Sequence, residues 1–376
     1  MKISVPRERT EGEKRVAAVP EVVSRFVKLG AEVVIESEAG ANAHHPDDAY
    51  RDAGATIAED AGAVYADADI VLRVQPPLLA EVQKMREGSI LIGFLNPHKE
   101  TDLIGYLRDR RITALAMELV PRISRAQAMD ALSSQASIAG YAAVLMAGAR
   151  MGKMIPMLTT PTGTIRPAKF LIIGAGVAGL QAIATARRLG AMVEAYDVRT
   201  ATKEQVQSLG AKFLQADIKA EAEGGYAREL TDEEEQKQQD MLAKHIAQAD
   251  VVITTAAIPG RPSPKIIFKQ MVVAMRPGSI IVDLAAEGGG NCELTQPGKV
   301  VRGNAVDICG PLNVPSSVPV HASETYAKNL YNLIALMVSD GKLAPNWEDE
   351  VLRDTTLTRD GEIKHAPTRQ LVEGGA

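Results

Sequence analysis

The sequence is poor in cysteine. Cys292 and Cys309 are the two present in 376 residues, and their spacing suits neither a disulfide framework nor a cysteine-rich zinc site, so no metal is expected. A reducing cytoplasm fits this usage. Charge of one sign is also missing. The chain has 42 Lys and Arg against 47 Asp and Glu, a formal net charge of -5, so nothing in its bulk electrostatics calls for nucleic acid or an anionic membrane. The first residues, MKISVPRERTEGEKRV, carry charges with no apolar core after them, so no secretory leader is expected. The longest weakly polar stretch, 170–186, approaches membrane-span length but contains Gly174, Gly176, Gly179 and Gln181. It reads as strand, turn and helix, and a membrane role would need another chain to supply the span.

What is present is ordinary globular material, 46% hydrophobic and 24% charged, and a length that suggests two or three domains. β-rich runs at 2–5, 31–37, 68–74, 89–95 and 112–119 alternate with helical patterns such as 21–29 and 78–85, which implies parallel strands with crossover helices. A small-residue helix, roughly Ala131 to Met151, follows as a connector. A second series begins at Lys169 with KFLII, AMVEAYD, DVVITTA and SIIVDLA. The tail after about residue 315 turns helical and is expected to return to the first domain. The expected fold class is therefore α/β, two Rossmann-like domains with parallel sheets, joined by long helices with a cleft between them. The boundaries are 1–130 plus about 316–376, and 131–315. The charged stretch 218–239 holds Gly224-Gly225 before Tyr226. It admits two readings, a solvated loop and helix face or a mobile lid.

One motif carries chemistry. GAGVAG at 174–179 follows an apolar strand and opens an Ala-rich helix, and Asp197 ends the next β-run, 23 residues after Gly174. In a dinucleotide site Gly174 permits the tight turn, Gly176 admits the pyrophosphate, and Gly179 allows close helix packing. The phosphates then rest on the free amides of a helix N-terminus. A carboxylate at Asp197 accepts from the adenosine ribose hydroxyls and repels a 2'-phosphate, which favours NAD(H) over NADP(H). Arg199, two residues on, is the counterargument, since an arginine there can pair with a 2'-phosphate.

PRISRAQAMDALSSQ, GAGVAGLQAIATARRLGA, DVR, GGYA, TTAAIPGRP and MRPGSIIVDLAAEGGGNCE together closely resemble the NAD(H)-binding component of the proton-translocating nicotinamide nucleotide transhydrogenases. That family is itself similar to alanine dehydrogenase, which shares the element seen here as Arg15 to Pro20. The resemblance implies that Arg122, Gln127 and Asp130, with Ser133 in reach, meet the nicotinamide end. It also implies nucleotide contacts at Val177, Val198, Arg199, Gly225, Gln238 and Ala257, with Tyr226 as a lid aromatic. Arg122 and Asp130 are expected to pair and fix their loop. The partners it implies are a membrane-spanning proton-channel subunit and an NADP(H)-binding subunit. A homodimer, peripheral on the inner face of the cell membrane through those partners, is implied as well.

The two relatives differ in chemistry. Oxidative deamination needs a group to bind a carboxylate and a group to move protons. Where alanine dehydrogenases carry a lysine, a histidine and an aspartate, this sequence has Gln75, Asn96 and Glu287; Arg15 remains. His98 is either a substitute base or a cap after Pro97. Hydride transfer between two nicotinamides needs no acid or base, only proximity, orientation and exclusion of water. The sequence thus favours a transhydrogenase subunit over two rivals, an alanine dehydrogenase-type oxidoreductase and a non-catalytic NAD(H)-sensing module.

Overall fold

The computed structural model describes residues 1–215, 232–257 and 260–374. Two compact units emerge, Met1–Gln135 with Pro315–Ala376, and Ala136–Val314. Among the described residues no helix is long and apolar enough to cross a membrane.

The first unit is built on an eight-stranded sheet. Six strands run parallel in the spatial order Thr56–Ala58, Glu32–Glu36, Lys2–Val5, Ile70–Leu72, Ile90–Gly93 and Thr113–Ala116. In chain order this is third, second, first, fourth, fifth, sixth, the doubly wound arrangement. Ile70–Leu72 and Ile90–Gly93 are buried along their whole length, which is why they read as unbroken apolar runs. The tail adds two antiparallel strands, Thr356–Arg359 and Glu362–Ile363, beside Thr113–Ala116. It also adds the helix Pro319–Ala335, whose Tyr326, Leu330, Leu333 and Ile334 join Ile3, Val5 and Phe26 in one core. The sequence reading of the tail as helical misses those two strands. They are short, and an edge pair carries little periodicity.

The second unit repeats the arrangement. Lys212–Leu214, Met192–Tyr196, Lys169–Ile173, Val251–Thr254, Ile280–Asp283 and Val306–Cys309 lie parallel in that order, and Val300–Gly303 closes the edge antiparallel. An exposed hairpin, Leu158–Thr160 with Gly163–Ile165, precedes it. The expectation of an α/β fold with two parallel-sheet domains therefore holds.

The helix Ala131–Arg150 is rich in small residues for a packing reason. A Cβ on Gly140 would stand 2.1 Å from the carbonyl oxygen of Ala178, so only glycine lets this helix approach the start of the helix Val177–Arg188. Gly140→Ala is expected to destabilise by about 1–3 kcal/mol, the usual cost of overpacking. Gly152→Ala, where a Cβ meets nothing within 4 Å, should leave stability unchanged or slightly raised. Urea unfolding of both variants checks the contrast.

Candidate nucleotide-binding site

In a sheet of this order the ligand crevice lies at the carboxyl ends of the first and fourth strands, where the crossovers diverge. In the second unit these are Lys169–Ile173 and Val251–Thr254, paired through Ile173 and Thr254. The glycine loop begins there. Gly174 has φ +96°, and a Cβ on it would lie 2.4 Å from Thr255 Oγ1, so a side chain is excluded twice over. A Cβ on Gly179 would lie 1.8 Å from the Gly174 carbonyl oxygen, which locks the helix onto the turn. Gly176 differs: its Cβ direction is open apart from Arg199 Nη2 at 4.0 Å. Gly176 caps the helix Val177–Arg188, whose first amides lack intrahelical acceptors. Two crowded glycines beside one open glycine at a helix N-terminus fit a pyrophosphate.

Asp197 stands beside this loop at the end of Met192–Tyr196. Its Oδ2 accepts from the Ala175 amide at 2.6 Å and from Arg199 Nη2 at 3.0 Å; Oδ1 accepts from the Arg199 amide at 2.8 Å and Arg199 Nε at 3.0 Å. Burial opposes ionisation here, but the Arg199 guanidinium and the two amides outweigh it and hold the carboxyl below the ordinary range. Val177 and Val198 are exposed apolar side chains, 42% and 69%. Ala257 is exposed just beyond Val251–Thr254. The Gln238 amide donates to the Tyr196 hydroxyl, whose pKa burial pushes up to about 12. Thus Gly174, Gly176, Gly179, Asp197 and Arg199 are brought together, with Val177 and Val198 exposed beside them in the chain. Gly225 and Tyr226 lie outside the described residues.

Sequence reasoning missed what holds the far side of this crevice. Buried Asn291 accepts from the Ala256 amide at 3.0 Å and donates to the carbonyls of Ala256 at 2.7 Å and Pro264 at 2.9 Å. Thr255 Oγ1 donates to the Gly174 carbonyl at 3.1 Å. Asn291 is 35 residues from Ala256, and no spacing rule links the two. Among the described residues no cluster of His, Cys, Asp and Glu is arranged to hold a metal ion.

The loop from Arg122 to Asp130 belongs to the first unit. Arg122 and Gln127 are exposed, Asp130 and Ser133 half-buried. The expected Arg122–Asp130 pair does not occur among the described residues. Asp130 instead caps the helix Ala131–Arg150, accepting from the Ser133 amide at 2.9 Å and hydroxyl at 2.6 Å. Four free amides at the start of a helix make the stronger claim on a nearby carboxylate. The loop is fixed from the tail. Asn329 and Asn332 both donate to the Ala128 carbonyl, at 2.9 and 3.0 Å, and Arg125 makes a bidentate pair with Asp349, both contacts 2.9 Å.

The first unit has its own crevice, at the ends of Lys2–Val5 and Ile70–Leu72, and charged side chains of the chain fill it. Glu8 accepts from the Val74 amide at 2.7 Å, and Arg73 reaches both Glu8, at 3.3 Å, and Glu81, at 2.9 Å. Arg15, its side chain 3% exposed, closes its fork on Glu13 through Nε at 2.9 Å and Nη2 at 2.7 Å, while Nη1 donates to Gln135 at 2.8 Å. The Gln75 amide donates to the same Glu13 at 2.8 Å. Burial would raise the Glu13 pKa, yet the Arg15 fork and Gln75 bring it down to about 2. Asn96 and His98 are exposed, the latter edge-on to His365 at 6.2 Å between ring centroids. Glu287 is exposed and accepts from the Asn313 amide at 2.8 Å.

Comparison with known proteins places this geometry. The family model described as "Alanine dehydrogenase/PNT, N-terminal domain" matches residues 4–139, and its C-terminal counterpart matches residues 143–366. A Rhodospirillum rubrum protein, named as the first portion of an NAD(P) transhydrogenase subunit alpha, is 50% identical over 97% of this chain and 98% of its own length. The crystal structure of a transhydrogenase from Sinorhizobium meliloti superposes with a TM-score of 0.87 at 41% identity, covering 98% of this chain and 100% of that one. A structure of L-alanine dehydrogenase superposes with 0.85 at 25% identity, covering all of both chains. Fold similarity does not separate the last two.

The Arg15–Glu13 pair yields a pH test. A folded-state pKa depressed from 4.5 to about 2 contributes stability that is present above 4.5 and lost as pH falls through 2. Glu13→Gln removes the buried carboxylate from under the Arg15 fork and should cost about 3–5 kcal/mol at pH 7. Urea unfolding of both proteins should show this gap closing between pH 4.5 and 2. A gap that stays constant over that range would mean that the Glu13 charge is not held by Arg15.

Proposed function

The chain belongs to the alanine dehydrogenase/PNT family, and from that premise we propose that it is the NAD(H)-binding subunit of a proton-translocating nicotinamide nucleotide transhydrogenase. It is an enzyme as one component of a complex. The membrane-spanning proton channel and the NADP(H) site are contributed by partner subunits, and the chain pairs with a second copy of itself. It is peripheral on the inner face of the cell membrane through those partners. A relative named as one portion of a subunit alpha supports this division.

Bound NADH supplies the hydride, which passes directly to NADP+ on the partner. The chain's residues bind and orient. The amides that follow Gly176 take the pyrophosphate, Asp197 takes the ribose hydroxyls and disfavours a 2'-phosphate, and Val177, Val198, Gln238 and Ala257 line the nucleotide. Arg122, Gln127, Asp130 and Ser133 meet the nicotinamide end, where the Gln127 amide both donates and accepts.

The observation that carries the reading is the state of Arg15. The one cation retained from the alanine dehydrogenase pattern has its fork on Glu13 and its remaining amine on Gln135. Gln75 in place of lysine and Asn96 in place of histidine supply neither a second cation nor a proton carrier. Deamination of an amino acid requires a group that binds the carboxylate and a group that moves protons. Transfer between nicotinamides requires neither.

The purified chain, mixed with an NADP(H)-binding partner, is expected to reduce an NAD analogue at the expense of NADPH. It should bind NADH at least ten-fold more tightly than NADPH, because the Asp197 charge opposes a 2'-phosphate by about 1.4 kcal/mol or more. Gln127→Asn should slow transfer far more than it weakens NADH binding. Robust oxidation of NADH with pyruvate and ammonia, or equal affinity for NADPH, would overturn the assignment.

A further inference from the structure

Asp197 accepts four N–H donors, about as many as the lone-pair sites a carboxylate offers. Two of the four are the backbone amides of Ala175 and Arg199, which are part of the turn itself. The other two are Nε and Nη2 of Arg199, a side chain that is 61% exposed while that of Asp197 is 5% exposed. A hydroxyl pair arriving at Asp197 must therefore take the place of the guanidinium. The displaced cation has a destination close by, because Nη2 stands 4.0 Å from the Cβ position of Gly176, the open glycine at the helix N-terminus. A pyrophosphate seated there presents charged oxygens that the planar guanidinium fork can take two at a time.

We propose that Arg199 is an exchangeable counter-ion that yields Asp197 to a ligand's ribose hydroxyls and takes the same ligand's pyrophosphate in return, so that the site selects ligands carrying both groups. The proposal rests on the reading of the glycine loop as a dinucleotide site. A nucleoside brings the hydroxyls without the anion and breaks the ion pair with nothing to replace it. A ligand with ribose and pyrophosphate together restores a pair for the arginine and leaves the carboxylate satisfied. Arg199 thus opposes the first class and favours the second, a sign reversal that neither a simple contact nor a simple competitor produces.

The test uses the full chain, wild type and Arg199→Met, with binding read by calorimetry for ADP-ribose and NADH and by displacement of NADH fluorescence for adenosine. The variant is expected to bind adenosine about two- to five-fold more tightly, the scale of an exposed ion pair. It should bind ADP-ribose about ten-fold more weakly, the scale of a lost charge-assisted bond. Arg199→Lys, which keeps the charge without the fork, should fall between the two, and thermal unfolding checks that all three proteins are folded. Weaker binding of both ligands, or tighter binding of both, would overturn the exchange while leaving the dinucleotide site in place. A wild-type chain that binds neither NADH nor ADP-ribose would instead overturn the site reading on which the exchange rests.

Discussion

The molecule turns on a constraint that its strand order imposes twice. A parallel sheet that winds outward in both directions from its first strand leaves one crevice, at the carboxyl ends of the first and fourth strands, where helices depart to opposite faces. Backbone amides at such a point need partners, whether from the chain or from a ligand. The two units answer differently. In the first, Glu8 accepts from Val74 and Arg73, and Glu13 accepts from Arg15 and Gln75, so the crevice is filled with internal ion pairs. In the second, Gly174 and Gly179 draw the chain into a tight turn while Gly176 leaves room above a helix N-terminus.

This division separates rigidity from reception. A buried, bidentate Arg15–Glu13 pair contributes less net stability than its contacts suggest, because two charges have been taken out of water. It does hold the guanidinium in one orientation. The Arg199–Asp197 pair, open to solvent on the arginine's side alone, is the opposite case. Its cation is largely solvated while its carboxylate is buried, so it is held less firmly than the Arg15 guanidinium, whose pair is buried on both sides. One crevice is held by buried ion pairs, and the other stays open above a helix N-terminus. Positioning and water exclusion are worth several kcal/mol of barrier, at roughly the scale of a well-oriented intramolecular reaction, and demand no titrating group.

Much of this is legible in the sequence. The strands Lys169–Ile173, Met192–Tyr196, Val251–Thr254 and Ile280–Asp283 are buried apolar runs bounded by turn residues, so they are visible without tertiary information. Gly174 through Asp197 is local as well, and its spacing is itself the signal. Lys212–Leu214 and the pair Val300–Gly303 with Val306–Cys309 are hard to see because strands of three or four residues near an edge show almost no pattern. Asp130 does carry a signal that the pairing with Arg122 overlooks: an aspartate three residues before a serine, at the start of a long small-residue run, marks a helix cap. Asn329 and Asp349 hold the Arg122–Asp130 loop from 201 and 224 positions away, and nothing in a single sequence marks such pairs. The same is true of Glu13. Its role as the occupant of Arg15 follows from burial and direction, which composition does not report.

The most direct measurement of the central claim follows a label. NADH carrying deuterium on the transferred face, supplied to the chain with its NADP(H)-binding partner in ordinary water, should yield NADPH with one deuterium per molecule formed, by mass spectrometry. Loss of the label to solvent, or a lag in which a reduced protein group accumulates first, would contradict a chain that acts by positioning alone.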